Sequence, residues 1–285
     1  MWWSTLAGKL ERAKVLDPVT KVATGVVLTV LPQGKVKDAL HGRWLGHPLH
    51  PLLVTVPIGM WSGALLLDLT GGPRSEPAAR RLVGAGVLVV APTAAAGLAD
   101  WSELGAFESP KRVGLVHALA NVVTTVLYGT SWLARRRGDD ARGRTLALAG
   151  AATMAVGGYL GGHLSYSQGV GMNRNADEQK QPRGWTDDAA DADLQEGALL
   201  RIEVEGQAIV LTRRNGSVYA MGAVCSHYGG PLEEGEVHDD CLICPWHRSA
   251  FRLADGSVAR GPATSPQLSY RVRQQGERLQ VQARP

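Results

Sequence analysis

The sequence predicts a two-domain membrane protein, with an N-terminal transmembrane four-helix bundle and a C-terminal all-β domain of antiparallel sheets. Four stretches contain no Asp, Glu, Lys or Arg, at residues 49–67, 82–99, 113–134 and 145–172. About 20 mostly apolar residues in a helix cross the hydrocarbon core of a bilayer, so each stretch predicts one span. After residue 172, short alternating segments separated by Gly and Asn-Gly turns predict strands.

The first 46 residues predict a basic amphipathic segment that lies at the membrane surface. Apolar positions recur on one helical face between Lys and Arg residues, and residues 22–33 are too short to span. The apolar positions are Leu6, Leu10, Val15, Val19 and Val22.

The four spans make up a predicted bundle over residues 47–172. Their connections are roughly a dozen residues long, which favours antiparallel neighbours. In the fourth span, Gly157 is paired with Gly161 and Gly158 with Gly162 at four-residue spacing. Such small residues permit close approach either of a neighbouring helix or of a flat ligand.

All histidines of the predicted bundle map to one side of the membrane, the side on which the N-terminus lies. Ionisable residues in membrane segments are candidates for a functional site. Pairs of these side chains could bind haem b between helices, or they could form a quinone or proton-handling site. They could also merely face headgroups and satisfy helix–helix hydrogen bonds. The candidates are His47, His50, His117 and His163.

The HPLHP segment (residues 47–51) resembles an uncharacterised family of bacterial four-helix membrane proteins. The resemblance covers roughly residues 40–172 and implies the fold of this part without implying an activity. Polar residues 173–191, with Pro182 and Gly184, predict a linker. The all-β domain is predicted over residues 192–285.

Two Cys-His pairs lie in the middle of this all-β domain. Cys225-x-His227 is followed, after the segment 228–243, by Cys244-x-x-His247. Two thiolates and two imidazoles would suit tetrahedral zinc on ligand type alone. The C-x-H and C-P-W-H pattern at this separation, however, resembles the Rieske proteins, and that resemblance covers residues 192–283. It implies a [2Fe-2S] cluster with the two cysteines on an inner iron and the two histidines on an outer iron.

The surroundings of the motif resemble those of a Rieske cluster with few hydrogen-bond donors. Gly230 and Trp246 occupy positions where members from cytochrome bc complexes carry a disulfide. Ser249 is retained, but Phe251 occupies the position of a tyrosine that donates to the cluster in high-potential members. Fewer donors predict a potential in the lower half of the Rieske range of about −150 to +300 mV. The charge of Arg248, which replaces a glycine common at this position, would oppose that effect.

The loop GPAT, which contains Pro262, resembles the segment that covers the cluster. Only the segment 248–285 follows His247, and it contains no histidine, so a mononuclear-iron oxygenase domain is not predicted. No catalytic residues and no nucleic-acid partner are predicted, since lysines and arginines in the loops of a membrane protein account for the net charge of +4.

The predicted function is membrane-anchored transfer of single electrons between the cluster and a membrane haem or quinol, or a redox partner protein. The alternative is a ferredoxin-like domain that supplies a separate enzyme, with the bundle acting only as an anchor or interaction platform. The predicted location is the bacterial plasma membrane, with the N-terminus and the Rieske domain on one side. The basic cluster at residues 135–144 lies on the other side and favours a cytoplasmic position there.

Overall fold

The computed structural model describes residues 2–176, 184–190 and 193–284. The chain forms two compact units. One, here called the helical unit, comprises Met1–Gln33 and Leu49–Val170; the other, the β unit, comprises Gly34–Pro48 and Gly171–Pro285. The prediction of a part with four long apolar helices followed by an antiparallel all-β domain is confirmed.

Seven α-helices are formed by the described residues, and the last four are long. These four are long and apolar enough to cross a membrane, and a fifth span is obtained only if the segments Lys14–Val30 and Lys35–His41, bent by 120°, count as one. The helices are α1 Trp2–Glu11, α2 Asp17–Val30, α3 Lys35–His41, α4 Leu49–Thr70, α5 Glu76–Ser102, α6 Glu108–Arg136 and α7 Asp140–Gly162.

Aromatic and ionic contacts fix the register of the long helices. The rings of Trp61 on α4 and Tyr128 on α6 stack with centroids 4.2 Å apart. The indole of Trp61 also donates to the carbonyl of Val83 on α5 at 3.2 Å. About two turns further along α6, the buried guanidinium of Arg135 binds Asp68 of α4 at 2.6 Å. Together these contacts orient three of the four spans.

The predicted surface segment is divided by the structure at Gly34. Helices α1 and α2 belong to the helical unit; Val15 in the turn between them and Val19 and Val22 on α2 are exposed. Helix α3 belongs to the β unit instead, and it ends at Gly42, whose φ of 86° places it in the left-handed conformation typical of helix C-termini.

Ten strands, all within residues 184–190 and 193–284, form two antiparallel sheets in the β unit. The six-stranded sheet has the order β1-β10-β9-β4-β3-β2, and the four-stranded sheet has the order β5-β6-β7-β8. The strands are β1 Thr186–Ala190, β2 Leu199–Val204, β3 Gln207–Arg214, β4 Ser217–Gly222, β5 Glu236–His238, β6 Cys241–Ile243, β7 Ala250–Arg252, β8 Val258–Arg260, β9 Ser269–Gln275 and β10 Arg278–Ala283.

A buried apolar cluster joins the two sheets. It contains Val210 and Met221 from the larger sheet and Leu242 and Phe251 from the smaller one. Both motif cysteines are members of the same cluster. The sheets therefore pack on each other where the two Cys-His segments meet.

Strand β1 lies within the predicted linker. Thr186 to Ala190 pair with β10 at the edge of the six-stranded sheet, with an irregular register after Asp187. The segment TDDAA has no apolar alternation, so its strand conformation depends on backbone hydrogen bonds to β10. Residues 177–183 and 191 of the predicted linker lie outside the described residues.

Candidate metal centre

The two motif segments are loops of the same design. The N–H of Cys225 donates to the carbonyl of Gly230, and the N–H of Cys244 donates to that of Ser249, five residues further in each case. The carbonyl of each cysteine also accepts from the residue four positions on, Gly229 in one loop and Arg248 in the other. These two residues both have positive φ, 75° and 62°. The two loops thus present their Cys and His side chains in equivalent ways.

The structure brings the like ligands together. Cys225 and Cys244 are buried side by side, joined by a hydrogen bond between their thiols. The rings of His227 and His247 meet edge to face with centroids 5.0 Å apart. Within the described part of the chain, no three His, Cys, Asp or Glu side chains converge to hold one metal ion. Sulfur paired with sulfur and imidazole with imidazole fits a two-iron cluster better than a single tetrahedral ion.

Both cysteines lie where backbone N–H groups stabilise negative charge on sulfur. The Cys225 sulfur accepts from the backbone of His227 and Tyr228, and the Cys244 sulfur from Trp246 and His247. The hydrogen bond with Cys244 and burial raise the pKa of Cys225, while the bond from Cys225 and the backbone donors lower the pKa of Cys244 to about 7. A thiolate is the form that binds metal, so this setting suits iron ligation.

His227 carries a buried nitrogen, Nδ1, that is inaccessible to solvent. This atom has no hydrogen-bond partner among the described residues. Leaving a buried polar atom unsatisfied costs about 1–3 kcal/mol. Burial, followed by the charges of His247, His41 and Arg174, lowers the pKa of His227 well below its usual value. A neutral imidazole with a buried lone pair is what a metal ligand requires, so these residues fit the cluster.

The four surrounding residues predicted from the sequence lie at the site in different roles. The hydroxyl oxygen of Ser249 accepts from the N–H of Ala263 at 3.0 Å, which leaves its own hydrogen available for donation. Phe251 is completely buried in the cluster that contains both cysteines, and Pro262 lies in the buried stretch of the covering loop. Trp246 is 48% exposed, and its ring centroid is 6.4 Å from that of His247.

Neighbouring side chains leave room only for glycine at position 230. A β-carbon placed there would lie 2.9 Å from the Cys244 sulfur and 3.2 Å from the Trp246 ring. The structure therefore leaves no room for the cysteine that Rieske proteins with a disulfide carry at this position.

Three residues near the site were not predicted from the sequence. The ring of Tyr228 packs edge to face on His227, with centroids 4.4 Å apart. Asp38 accepts from the N–H of Gly261 in the covering loop, and His41 lies close by. Tyr228 adjoins the motif, but Asp38 and His41 precede the first long helix and had no sequence signal linking them to the motif.

Of the four membrane-part histidines, the structure brings together two. The rings of His50 on α4 and His117 on α6 meet edge to face with centroids 6.3 Å apart. His163 instead binds Glu11 of α1 at 2.7 Å. His47 is exposed and belongs to the β unit.

The tautomers of His50 and His117 follow from their hydrogen bonds. His50 Nδ1 lies 2.9 Å from the carbonyl of Thr93 on α5, and His117 Nδ1 lies 2.9 Å from that of Gly157 on α7. A carbonyl only accepts, so each Nδ1 carries the hydrogen and each Nε2 keeps a lone pair. The lone pair of His117 faces the side-chain amide nitrogen of Asn121 at 3.1 Å. Two imidazole lone pairs are thus present between the long helices.

Comparison with known families finds one match in the helical part of the chain and another in the β part. Residues 184–274 match the family described as "Rieske [2Fe-2S] domain", and residues 46–174 match "Predicted membrane protein (DUF2231)".

The individual relatives match the Rieske part. The 3-phenylpropionate/cinnamic acid dioxygenase ferredoxin subunit of Escherichia coli K12 is 37% identical over 86 residues, 30% of this chain and 80% of that protein. Human apoptosis-inducing factor 3 is 30% identical over 91 residues, 32% of this chain and 15% of that protein. The chain thus spans a small fraction of this larger relative. Among solved structures, the ferredoxin of carbazole 1,9a-dioxygenase from Nocardioides aromaticivorans IC177 is 26% identical, with a TM-score of 0.34, covering 35% of this chain and 98% of that one.

Proposed function

Because this chain belongs to the Rieske [2Fe-2S] family and also carries a DUF2231 membrane domain, we propose that it is a membrane-anchored carrier of single electrons. The observation that supports this most directly is the pairing at the motif, thiol with thiol and imidazole with imidazole. The buried Nδ1 of His227, which has no hydrogen-bond partner in the part of the chain that the structure describes, adds to it. A bound [2Fe-2S] cluster would supply one-electron redox chemistry.

The roles of the ligands follow from their burial. Cys225 and Cys244, both about 1% exposed, would hold the inner iron, where the backbone donors of the two loops stabilise their negative charge. His227 and His247, both half-buried, would hold the outer iron. The apolar cluster around the cysteines excludes water from the sulfur side, so electrons would enter and leave on the histidine side.

Spectroscopy of ligand variants tests this assignment. The detergent-purified chain is expected to show the optical and electron paramagnetic resonance signals of a Rieske cluster. Cys244→Ser and His227→Ala are expected to lose them, since each removes one of the four ligands. Cys241→Ser and His238→Ala are matched controls from the same domain and should retain the signals. A purified protein that contains zinc alone, or a Cys244→Ser variant with an intact cluster, would contradict the assignment.

For the membrane side of the electron path, we propose a site at His50 and His117, with haem b as the cofactor and a quinol as the alternative reactant. Ligating histidines in proteins commonly donate Nδ1–H to a carbonyl and bind the metal through Nε2, and both residues have the first half of this arrangement. For a quinol, the Asn121 amide and the imidazoles would be the hydrogen-bonding groups.

A haem at this site predicts a Soret band in the purified protein. The band should be lost in His50→Ala and in His117→Ala but retained in His163→Ala, whose side chain binds Glu11 elsewhere in the bundle. Without a Soret band, reduction of the cluster by a soluble quinol, abolished in the same two variants, would support the quinol site. If neither is observed, the helical unit is an anchor or platform for a ferredoxin-like domain serving another enzyme.

The redox partner and the membrane location are also proposals. The E. coli relative is named as the ferredoxin subunit of a dioxygenase, and by analogy a separate redox protein would exchange electrons with this chain. We place the helical unit in the bacterial plasma membrane and the Rieske domain on its outer side.

A further inference from the structure

Helix α3 contains polar residues that are buried although the helix has only seven residues. Lys37 is 0%, Asp38 8% and His41 1% exposed. Charged side chains are rarely buried unless they have a specific partner. A seven-residue helix is also too short to be stable alone in water. The formation of α3 therefore depends on the contacts that these buried side chains make with the rest of the β unit.

Asp38 and Arg43 bind the segment that begins at strand β8. One carboxylate oxygen of Asp38 accepts from the N–H of Gly261 at 3.0 Å, a buried bond between residues 223 positions apart. The other lies 3.6 Å from the Arg43 guanidinium, which also donates to the carbonyl of Val258 at 3.5 Å. The start of the covering loop is thus held at two points by residues from before the first membrane span.

The covering loop lies between Asp38 and Ser249. A β-carbon at Gly261 would be 3.1 Å from an Asp38 carboxylate oxygen and 3.7 Å from the His41 ring, so glycine allows α3 to approach closely. Two residues further on, Ala263 donates to the Ser249 hydroxyl. The position of the loop, and with it the hydrogen bonding of Ser249, therefore depends on the Asp38 contact.

His41 packs against the covering loop from the same helix as Asp38. It is 1% exposed, and a β-carbon at Gly261 would lie 3.7 Å from its ring. His247, by contrast, has the exposed Trp246 and Arg248 beside it. The covering loop is thus packed against this chain's own N-terminal segment.

We propose that residues 34–48 form a built-in cap of the Rieske site, in which Asp38 anchors the covering loop and His41 packs behind that loop and shields the side of the site that the loop covers. The shielding part of this inference rests on the proposed cluster; the anchoring part does not. The cap leaves the His247 side as the accessible side of the site, and it ties the Rieske domain to the chain on both sides of the four spans.

Hydrogen–deuterium exchange of the full chain in detergent tests the anchor. In the wild-type protein, amides of residues 38–42, which are hydrogen-bonded within and at the end of α3, should be protected like those of the β-strands, because α3 is stable only when packed. In Asp38→Ala, the peptide around residues 258–266 should exchange about tenfold faster, since a buried hydrogen bond to a carboxylate is lost. Asp38→Asn keeps an acceptor and should change less, and Lys35→Ala, an exposed position on the same helix, should not change.

Rapid exchange of residues 38–42 in the wild-type protein would overturn the proposal without any variant. Unchanged exchange at residues 258–266 in a folded Asp38→Ala variant would overturn the anchor.

Resistance to an iron chelator tests the shield. Loss of the iron–sulfur absorbance should be several-fold faster in His41→Ala and Asp38→Ala than in the wild-type protein or Lys35→Ala. Equal rates in all four proteins would overturn shielding by His41. Absence of iron–sulfur absorbance from the wild-type protein would instead overturn the proposed cluster, and the exchange experiment would still decide whether α3 is anchored.

Discussion

Single residues around the motif set the expected redox properties. Phe251 occupies the centre of the apolar cluster at 0% exposure, so it fills space without offering a donor. Ser249 has a hydroxyl hydrogen available because its oxygen already accepts from Ala263. A donor toward the cluster stabilises its reduced, more negative state. One donor where high-potential members have two is the physical basis for expecting a low potential.

Phe251→Tyr should therefore raise the midpoint potential. A net hydrogen bond of about 0.5–1.5 kcal/mol corresponds to about 20–60 mV for a one-electron couple. Redox titration followed by electron paramagnetic resonance measures the shift. Ser249→Ala is the matched opposite change and should lower the potential by a similar amount. A folded Phe251→Tyr variant with an unchanged potential would show that a hydroxyl at this position does not donate a hydrogen bond to the cluster.

Arg248 has a backbone conformation that could not be read from the motif alone. Its φ of 62° corresponds to that of Gly229 in the other loop, which explains why glycine is favoured here in Rieske proteins: a side chain in left-handed backbone costs about 1–2 kcal/mol. The exposed guanidinium binds Glu236 at 2.5 Å, and the Arg248 carbonyl accepts two bonds from Arg260. These contacts help to hold the loop in spite of its conformation.

At the scale of elements, long apolar helices were predicted well and short polar elements were not. Each of α4 to α7 contains most or all of one of the four uncharged stretches, since length and hydropathy alone identify a span. Strand β1 was missed because an edge strand made of TDDAA needs only backbone partners. Helix α3 was assigned to a surface segment because its burial depends on Gly261, which lies far away in the sequence.

The meeting of the motif residues could be predicted from the sequence, while that of the membrane pair could not. The Cys-His pattern and its resemblance to Rieske proteins predicted four ligands between Cys225 and His247. The structure brings thiol to thiol and imidazole to imidazole, and the ligand role of these residues stays a prediction. For the bundle histidines, the sequence indicates only their approximate depth in the membrane. The rotation of each helix decides which of them meet, and it depends on contacts such as that between Trp61 and Tyr128.

The two glycine pairs of α7 have different roles in the structure. A β-carbon at Gly161 would be 3.1 Å from the His117 ring, and one at Gly157 would be 2.7 Å from the Asn121 side chain, whereas Gly158 faces open space. Gly161→Leu should therefore displace His117 and abolish whichever cofactor signal that residue supports, and it should lower thermal stability. Gly158→Leu is the matched control on the same helix and should leave both unchanged. Equal effects of the two substitutions, measured by absorbance and thermal unfolding, would contradict this packing.

At the scale of the whole molecule, an even number of spans fixes the relation between the two ends of the chain. Four crossings would return the chain to its starting side and so place α3 and the Rieske domain on one side of the membrane, in agreement with the hydrogen bond from Gly261 to Asp38 within the β unit. If the bent pair were a fifth span, α3 itself would lie within the bilayer, where it could not contact Gly261. The cap contact therefore favours four spans and argues against counting the bent pair Lys14–Val30 and Lys35–His41 as a fifth.

This topology predicts the labelling of introduced cysteines in intact cells. Glu277→Cys, in the hairpin between β9 and β10, should react with a membrane-impermeant maleimide if the Rieske domain faces outward. Arg137→Cys, between α6 and α7, should react only after the cells are permeabilised, because it lies one span away within the basic cluster that favours the cytoplasm. The opposite labelling pattern would show that the Rieske domain faces the cytoplasm, and it would remain consistent with four spans. Labelling of both positions in intact cells would contradict the four-span topology itself, since one crossing must separate them.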